Sequence, residues 1–553
     1  MPLKEKISNI ILSHIQNRYG NNVSYANKML EIVKLILPLK SGYNFPNIIR
    51  QNDLFPYKRD DDFQESLSKV NEKEDRRKKE GVYYTDNDVT DYLVANIVLH
   101  YIKKNEKKLF GIDKIKSKLL NLDVSDKIKI LTATAIDPTC GTGEFLISLL
   151  QLKIIISKTV PNYRPECILE TIFGNDIEST STEITKIRLF FLLIDSFNKE
   201  VNLDKIARKL NQNFLNVDAV LYDGNSFGKK DIVIGNPPYV EYRNFEGKTN
   251  LEYGNVYADV LHYSVDSLTE NGIMGFVIPL SYISTIRMSK IRSYIMGKMD
   301  KQIVASFADR PDCLFSGVHQ KLNILIAQVQ SDNKKVLTSS YNYWYQSERT
   351  KLFDNIKLVA TRKDNNDYWP KVGNVIEKQL YSKFLNLKGM DFFDTDDSQE
   401  YKELYVNQRA CFWMKVFTFD MKSNSYTKYS VPRGKYPFVY CLLNSSLFFL
   451  LWVIISDGWH LTKKELSFIK IPVKINDLQI WEDLMIRLEK KLEETKKYVG
   501  TKQVEYEYKH KNCKEIIDEI DKELAKIYNL TDTQLEYIKN FALKYRISDG
   551  AQS

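Results

Sequence analysis

Hydrophobic positions along the chain fall into three regimes. Over residues 1 to about 78 they recur at helical spacing, as at Ile7, Ile10, Ile11 and Ile15, and predict a helical N-terminal segment (1–78). The polar run Asn71–Glu80 that follows reads as a charged linker or a solvated helix. From 79 to 330, short apolar runs alternate with longer helical stretches. Runs near 129–136, 171–176, 213–218, 231–235, 273–279, 302–308 and 322–330 predict seven strands. Helical stretches between the early runs imply right-handed crossovers. The expected fold class is therefore α/β, with a doubly wound, mostly parallel, Rossmann-like sheet. From 331 to 553 the pattern turns mixed and predicts an α+β region. It holds aromatic clusters such as Tyr341–Tyr345 and Phe412–Trp413, and it ends in long charged helices over Leu484–Tyr545.

Two loops within the middle regime carry chemistry. The apolar run Asp231–Gly235 opens into Asn236-Pro237-Pro238-Tyr239. Two prolines stiffen that loop and remove two N–H donors. The Asn236 amide oxygen and the Pro237 carbonyl are then presented as acceptors, with an aromatic ring alongside. This equipment suits an exocyclic amino group on a flat base, although the same four residues also make an ordinary turn. About 100 residues upstream, the strand-like Ile128–Thr134 leads into Asp137-Pro138-Thr139-Cys140-Gly141-Thr142-Gly143-Glu144-Phe145 and then a helical pattern. Strand, glycine turn and helix form the layout of a nucleotide-type cofactor site, where glycines admit the ligand and the helix start offers free N–H groups. The G-x-G-x-x-G spacing is absent, and no Gly-Lys-Ser/Thr follows, so it is neither a dinucleotide fingerprint nor a phosphate loop.

Taken together, the two loops make the chain resemble the class I S-adenosylmethionine-dependent amino-methyltransferases of DNA, above all the N6-adenine enzymes of bacterial restriction–modification systems. Other landmarks follow in order. Glu80–Thr85 is similar to the segment that closes over the methionine end of the cofactor and brings in Tyr84 and Thr85, with Asp86 where a proline is usual. Phe173–Ile177 is similar to the second-strand end, where an acid, here Asp176 beside Ile177, binds ribose hydroxyls. Phe214–Ala219 is similar to the third-strand end, where Asp218 takes the cofactor's adenine amino group. Leu314-Phe315 resembles the site of a second aromatic that stacks on the flipped base beside Tyr239. The order of these motifs is that of the gamma group. The resemblance implies S-adenosylmethionine as cofactor, held by Tyr84, Thr85, Asp137, Pro138, Thr139, Gly141, Gly143, Phe145, Asp176, Ile177 and Asp218. It implies catalysis at Asn236, Pro237, Pro238 and Tyr239, double-stranded DNA as partner, and 331–553 as the target-recognition region. It also implies that the last two of the seven strands form an antiparallel edge pair. Bland readings stand beside several of these: an acid ending a strand also caps a following helix, and Phe315 alone reads as core.

Composition narrows the alternatives. A net charge of +9 over 553 residues suits a polyanionic partner. Six cysteines without a C-x-x-C pair give no zinc site and favour reduced thiols and a cytoplasmic location. No Pro-Cys pair occurs, so Cys140 reads as a packing residue and not as the nucleophile of a cytosine-C5 enzyme. No apolar run reaches the roughly 18 residues of a membrane span; Leu442–Ile455 comes nearest, and no membrane partner is expected. The N-terminus lacks a signal-peptide apolar core. Neither a nuclease P-D…(D/E)-x-K core nor a Walker loop is found, so any accompanying restriction endonuclease is expected to be a separate polypeptide. RNA or protein-glutamine N-methylation is a rival enzyme reading. A non-catalytic DNA-specificity subunit is a rival of another class.

Overall fold

The computed structural model describes residues 2–548 apart from 20, 38–41, 51–52, 54–61, 71–84, 198–200, 221–227, 246, 248, 250, 330–334, 362–366, 392–399, 476 and 502–504. The linker expected over 71–80 and Tyr84 lie outside the described residues.

A nine-stranded sheet organises the molecule, in the order β3-β2-β1-β4-β5-β7-β6-β8-β9. The strands are β1 Ala135–Asp137, β2 Ile172–Asn175, β3 Phe214–Leu215, β4 Lys230–Gly235, β5 Leu268–Pro279, β6 Lys301–Phe307, β7 Leu322–Gln328, β8 Lys335–Asn342 and β9 Val359–Thr361. β1 to β5 are mutually parallel, and β7 runs antiparallel to both β5 and β6. The seven-strand expectation is thus two short. β6 does not end the sheet: β8 joins it in parallel and β9 pairs antiparallel with β8. The β6–β7 pair is antiparallel as expected but lies inside the sheet. Its strands are buried along their whole length, which an edge strand would not be. The sheet therefore runs on to Thr361, past the boundary set at 330.

One strand expectation fails locally. Ile128–Thr132 belongs to a helix, Val124–Thr132, and the strand is confined to Ala135–Asp137. The Asp123 side chain accepts from the Asp126 N–H and starts that helix. Ile130 and Leu131 face inward while Ile128 is 43% exposed, so the apolar spacing served a helix face.

The flanking regions are packed onto this sheet unit. N-terminal helices Leu3–Arg18, Val23–Ile36 and Phe63–Lys69 cover the helices Ser179–Ser196 and Leu203–Asn213. Asp195 accepts from Arg18 and Tyr19, and the buried Tyr43 hydroxyl donates to Glu183 at 2.7 Å. Beyond the sheet lie a three-stranded antiparallel sheet, β10 Tyr401–Asn407, β11 Val416–Phe417 and β12 Tyr426–Pro432, and two apolar helices, Tyr436–Leu443 and Ser446–Ile455. Both helices are wholly buried. Among the described residues no single helix is long and apolar enough to cross a membrane. The charged C-terminal pattern resolves into Leu478–Thr495 and Lys514–Ile527, packed together, and two shorter helices.

Candidate active site

The register of the sheet brings the two loops together. β1 and β4 are parallel neighbours, with Ala135 opposite Ile232 and Ile136 opposite Val233, so the Asp137 turn and the Asn236 loop leave the same sheet end side by side. Gly235 permits this approach. A Cβ there would sit 2.6 Å from the Asp137 Oδ1. Asp137 is 1% exposed, and its Oδ1 accepts from the Thr139 N–H at 3.0 Å. Burial pushes its carboxyl well above the usual range, the Thr139 N–H opposes this, and nearby Asp176 adds to it.

In the glycine turn, Gly141 has φ +53°, a conformation L side chains rarely adopt. Its N–H donates to the Asp176 Oδ2 at 2.8 Å, and its carbonyl accepts from the Thr185 hydroxyl at 2.9 Å. Gly143 precedes the helix Glu144–Ser157, and a Cβ there would meet Thr185 Cγ2 at 2.6 Å. Asp176 also accepts from the Glu178 N–H, so it serves both as a local cap and as a tie to the turn. Asn175 bridges the next two strand ends. Its amide donates to the carbonyls of Pro138 and Val217, and its oxygen accepts from the Val217 N–H. Asp218 accepts from the Val220 N–H. Phe145 is 3% exposed and Cys140 5% exposed; both pack in the core, and burial pushes the Cys140 thiol well up.

These residues fit a nucleoside-type ligand on three observations. A side chain at 141 would meet nothing within 4 Å, so the turn fronts open space. Ile177 is 68% exposed and Val217 39% exposed, an apolar surface at adjoining strand ends. The Thr139 hydroxyl is buried without a hydrogen-bond partner among the described residues.

The Asn236 loop is itself fully engaged. The Asn236 amide donates to the Thr85 hydroxyl at 3.0 Å, and its Oδ1 accepts from the Tyr239 hydroxyl. Tyr239 lies 3.0 Å from the Val277 carbonyl as well, and its ring meets Tyr257 edge-on. Pro237 is buried, and Pro238 and Tyr239 are partly exposed. Thr85 is 3% exposed, so the segment after residue 84 does reach this loop. Phe315 is 0% exposed within the core, with no ring face open to a base in this arrangement.

Two supporting groups escaped sequence reading. Arg349 donates to both oxygens of Asp88, to Asp86, and to the carbonyls of Cys313 and Leu314. It ties the start of the helix after Thr85 to the Phe315 loop. This gives Asp86, in place of the usual proline, a physical reason: its carboxylate also accepts from the Ser316 hydroxyl at 2.7 Å. Arg188, buried under the glycine turn, donates to the Thr142 carbonyl and pairs with Glu144. Gln64, from the N-terminal segment, accepts from Arg188 Nε at 3.1 Å. Only the alternation Glu144…Arg188 of opposite charges on two apolar helices hints at this pair in the sequence.

A sheet core ordered β3-β2-β1-β4-β5-β7-β6 carries the glycine turn after β1, and the matches to known proteins support a class I S-adenosylmethionine-dependent methyltransferase of the restriction–modification kind. More narrowly, residues 170–311 match the Eco57I restriction-modification methylase family. The type II methyltransferase M.VspI of Vibrio sp. (strain 343) is 26% identical over 266 residues, covering 47% of this chain and 50% of that protein. The modification methylase CviBIII of Paramecium bursaria Chlorella virus NC1A is 25% identical over 240 residues, covering 42% and 46%. The chain thus spans about half the length of these two relatives. Among solved structures, the type IIL restriction-modification enzyme MmeI in complex with DNA aligns with a TM-score of 0.53 over 96% of this chain and 92% of that one. At 13% identity this is a likeness of fold.

Proposed function

We propose that this chain is a site-specific DNA methyltransferase. It moves a methyl group from S-adenosylmethionine to the N6 amino group of an adenine flipped out of the duplex, within a restriction–modification or phage-defence system. The observation that most supports this reading is the abutment of the Asn236 loop on the Asp137 turn, enforced by the missing side chain at Gly235. Cofactor and target base would there be held by neighbouring strand ends.

On the cofactor side, Asp176 binds the ribose hydroxyls, Asp218 the adenine amino group, and Ile177 covers a ring face. Thr85 and Tyr84, the glycine turn and Asp137–Thr139 enclose the remainder. When bound, S-adenosylmethionine supplies a methyl group on a sulfonium centre. The adenine amino group is hidden in the stack of a duplex, so the base must leave it. Asn236 Oδ1 and the Pro237 carbonyl then accept its two hydrogens. Those bonds draw the amino lone pair out of the ring and aim it at the methyl donor. Positioning carries much of the barrier reduction, and the loop needs no strong general base, because the methylated amino nitrogen is acidic and gives its extra proton to water. Tyr239 must first release Asn236 Oδ1, which leaves its ring to cover the base. The region beyond the sheet, after Thr361, is assigned to reading the DNA sequence, and cleavage to a separate endonuclease.

Kinetics of Asn236→Ala test this. The contact forms with the flipped base near the transition state, so turnover should fall by far more than tenfold while cofactor and DNA affinity change little. Activity within about tenfold of wild type, roughly 1.4 kcal/mol, would contradict the role.

A further inference from the structure

Beyond residue 400 the structure holds a cavity of about 250 Å³. Asn407 and Arg409 line it from the end of β10, Tyr426 from the start of β12, and Lys415, Trp459 and Tyr506 close it. It is smaller than the roughly 300–1,000 Å³ of drug-sized sites and suits one compact planar group.

Its chemistry is that of a binding site and not of a packing fault. Lys415 is partly buried on the cavity wall, and among the described residues its ammonium has no hydrogen bond or ion pair. Burial lowers its pKa, opposed by Glu507 and Cys411. A cation so placed costs free energy unless an anion joins it. Arg409 is exposed and likewise makes no ion pair among the described residues. The acid on the same wall, Glu507, pairs instead with Lys509 at 3.8 Å. The Trp459 backbone is tied on both sides: Asp457 accepts from its N–H and from that of His460, and the Trp459 carbonyl accepts from the Ala410 N–H at 2.9 Å. Lys321 and Arg310 stand over the Trp459 ring at 4.8 Å and 5.6 Å from its centroid; Lys321 also pairs with Asp309. Lys321 precedes β7, and Leu322 of β7 pairs with Pro279 at the end of β5. β5 is the parallel neighbour of β4, so Trp459 links the cavity to the sheet end that carries Asn236.

We propose that this cavity takes a single nucleotide of the bound DNA, its phosphate on Lys415 and Arg409 and its base against Trp459 and Tyr506. The inference rests on the DNA-methyltransferase reading above. Stacking on aromatic rings tolerates any base, so the contact adds affinity and register more than sequence choice.

The full-length chain and its Lys415→Met and Trp459→Ala variants are titrated with a fluorescent mixed-sequence duplex across a salt series. Deoxyadenosine monophosphate serves as a separate probe. Lys415→Met should reduce the slope of log K against log salt by about 1, one phosphate's share. Trp459→Ala should weaken binding by roughly tenfold, about 1.4 kcal/mol. Wild-type affinity and slope in both variants overturn the proposal. So does mononucleotide binding that Lys415→Met abolishes while duplex binding is unchanged, which would assign the cavity to a free nucleotide. Absence of duplex binding by the wild type brings down the DNA reading itself. Should either variant fail to fold, photocrosslinking of the unaltered chain to 5-iododeoxyuridine duplex decides the matter. Crosslinks at Trp459, Tyr426 or Tyr506 support the site, and crosslinks found only elsewhere refute it.

Discussion

At the scale of single residues, the feature with most consequence is the bond from the Tyr239 hydroxyl to Asn236 Oδ1. It occupies the atom assigned to the target amino group and so competes with substrate. Tyr239→Phe removes the competitor and keeps the ring. Methyl transfer should stay within about tenfold of wild type, whereas Tyr239→Ala, which also loses base stacking worth roughly 1–3 kcal/mol, should fall well beyond that. Equal losses in the two variants would show the hydroxyl, not the ring, to matter. Much of this site was legible in the sequence because its parts are contiguous: Asn236 to Tyr239 and Asp137 to Phe145 are each one unbroken stretch of chain. Arg349 was not legible. Its partners at Asp86, Asp88 and Leu314 come together only through the tertiary fold.

At the scale of elements, the strand core from β2 to β7 follows from continuous apolar runs bounded by turns, a signal that depends on burial alone. The signal failed where burial is one-sided. Residues 128–132 have few enough apolar positions to suit either a strand or a helix face, and the Asp123 cap decided it. β8 and β9 were hidden because the mixed pattern after 331 does not reveal that its first strand pairs with β6.

One helix carries a pH-sensitive group. His100, in Asn87–Ile102, is fully buried; its Nδ1 accepts from the Lys301 ammonium and its Nε2–H donates to the Lys108 carbonyl. Burial, then the Lys301 charge, lowers its pKa to about 3 against the Lys108 contact. Between about 6.5 and 3 the unfolded chain therefore binds more protons at this site. Stability is lost as pH falls through that window, by up to about 1.4 kcal/mol per pH unit. His100→Gln stays neutral throughout, so the drop in Tm between pH 7 and pH 5 should be smaller in the variant. An unchanged drop would contradict the assignment.

At the scale of the whole molecule, the flanking regions are packed into the sheet unit. Gln64 braces Arg188 beneath the glycine turn, and Arg349 braces the Thr85 segment from beyond residue 331. Farther on, Arg546 is 1% exposed, its guanidinium over Trp413 at 4.0 Å. A chain ending at residue 330 would strip β8 from the fully buried β6 and remove Arg349. It should lose cooperative unfolding and cofactor binding together, as circular dichroism melts and calorimetry would report. A soluble, cooperatively folded fragment that binds cofactor would refute this dependence.

The proposal as a whole turns on where a methyl group ends up. Sequencing that detects modified bases, applied to DNA from a bacterial host carrying the gene, the Asn236→Ala gene or neither, addresses this most directly. The expected result is N6-methyladenine at one recurring sequence with the wild-type gene alone. DNA without that mark in the wild-type strain, or with the same mark in the Asn236→Ala strain, would contradict it.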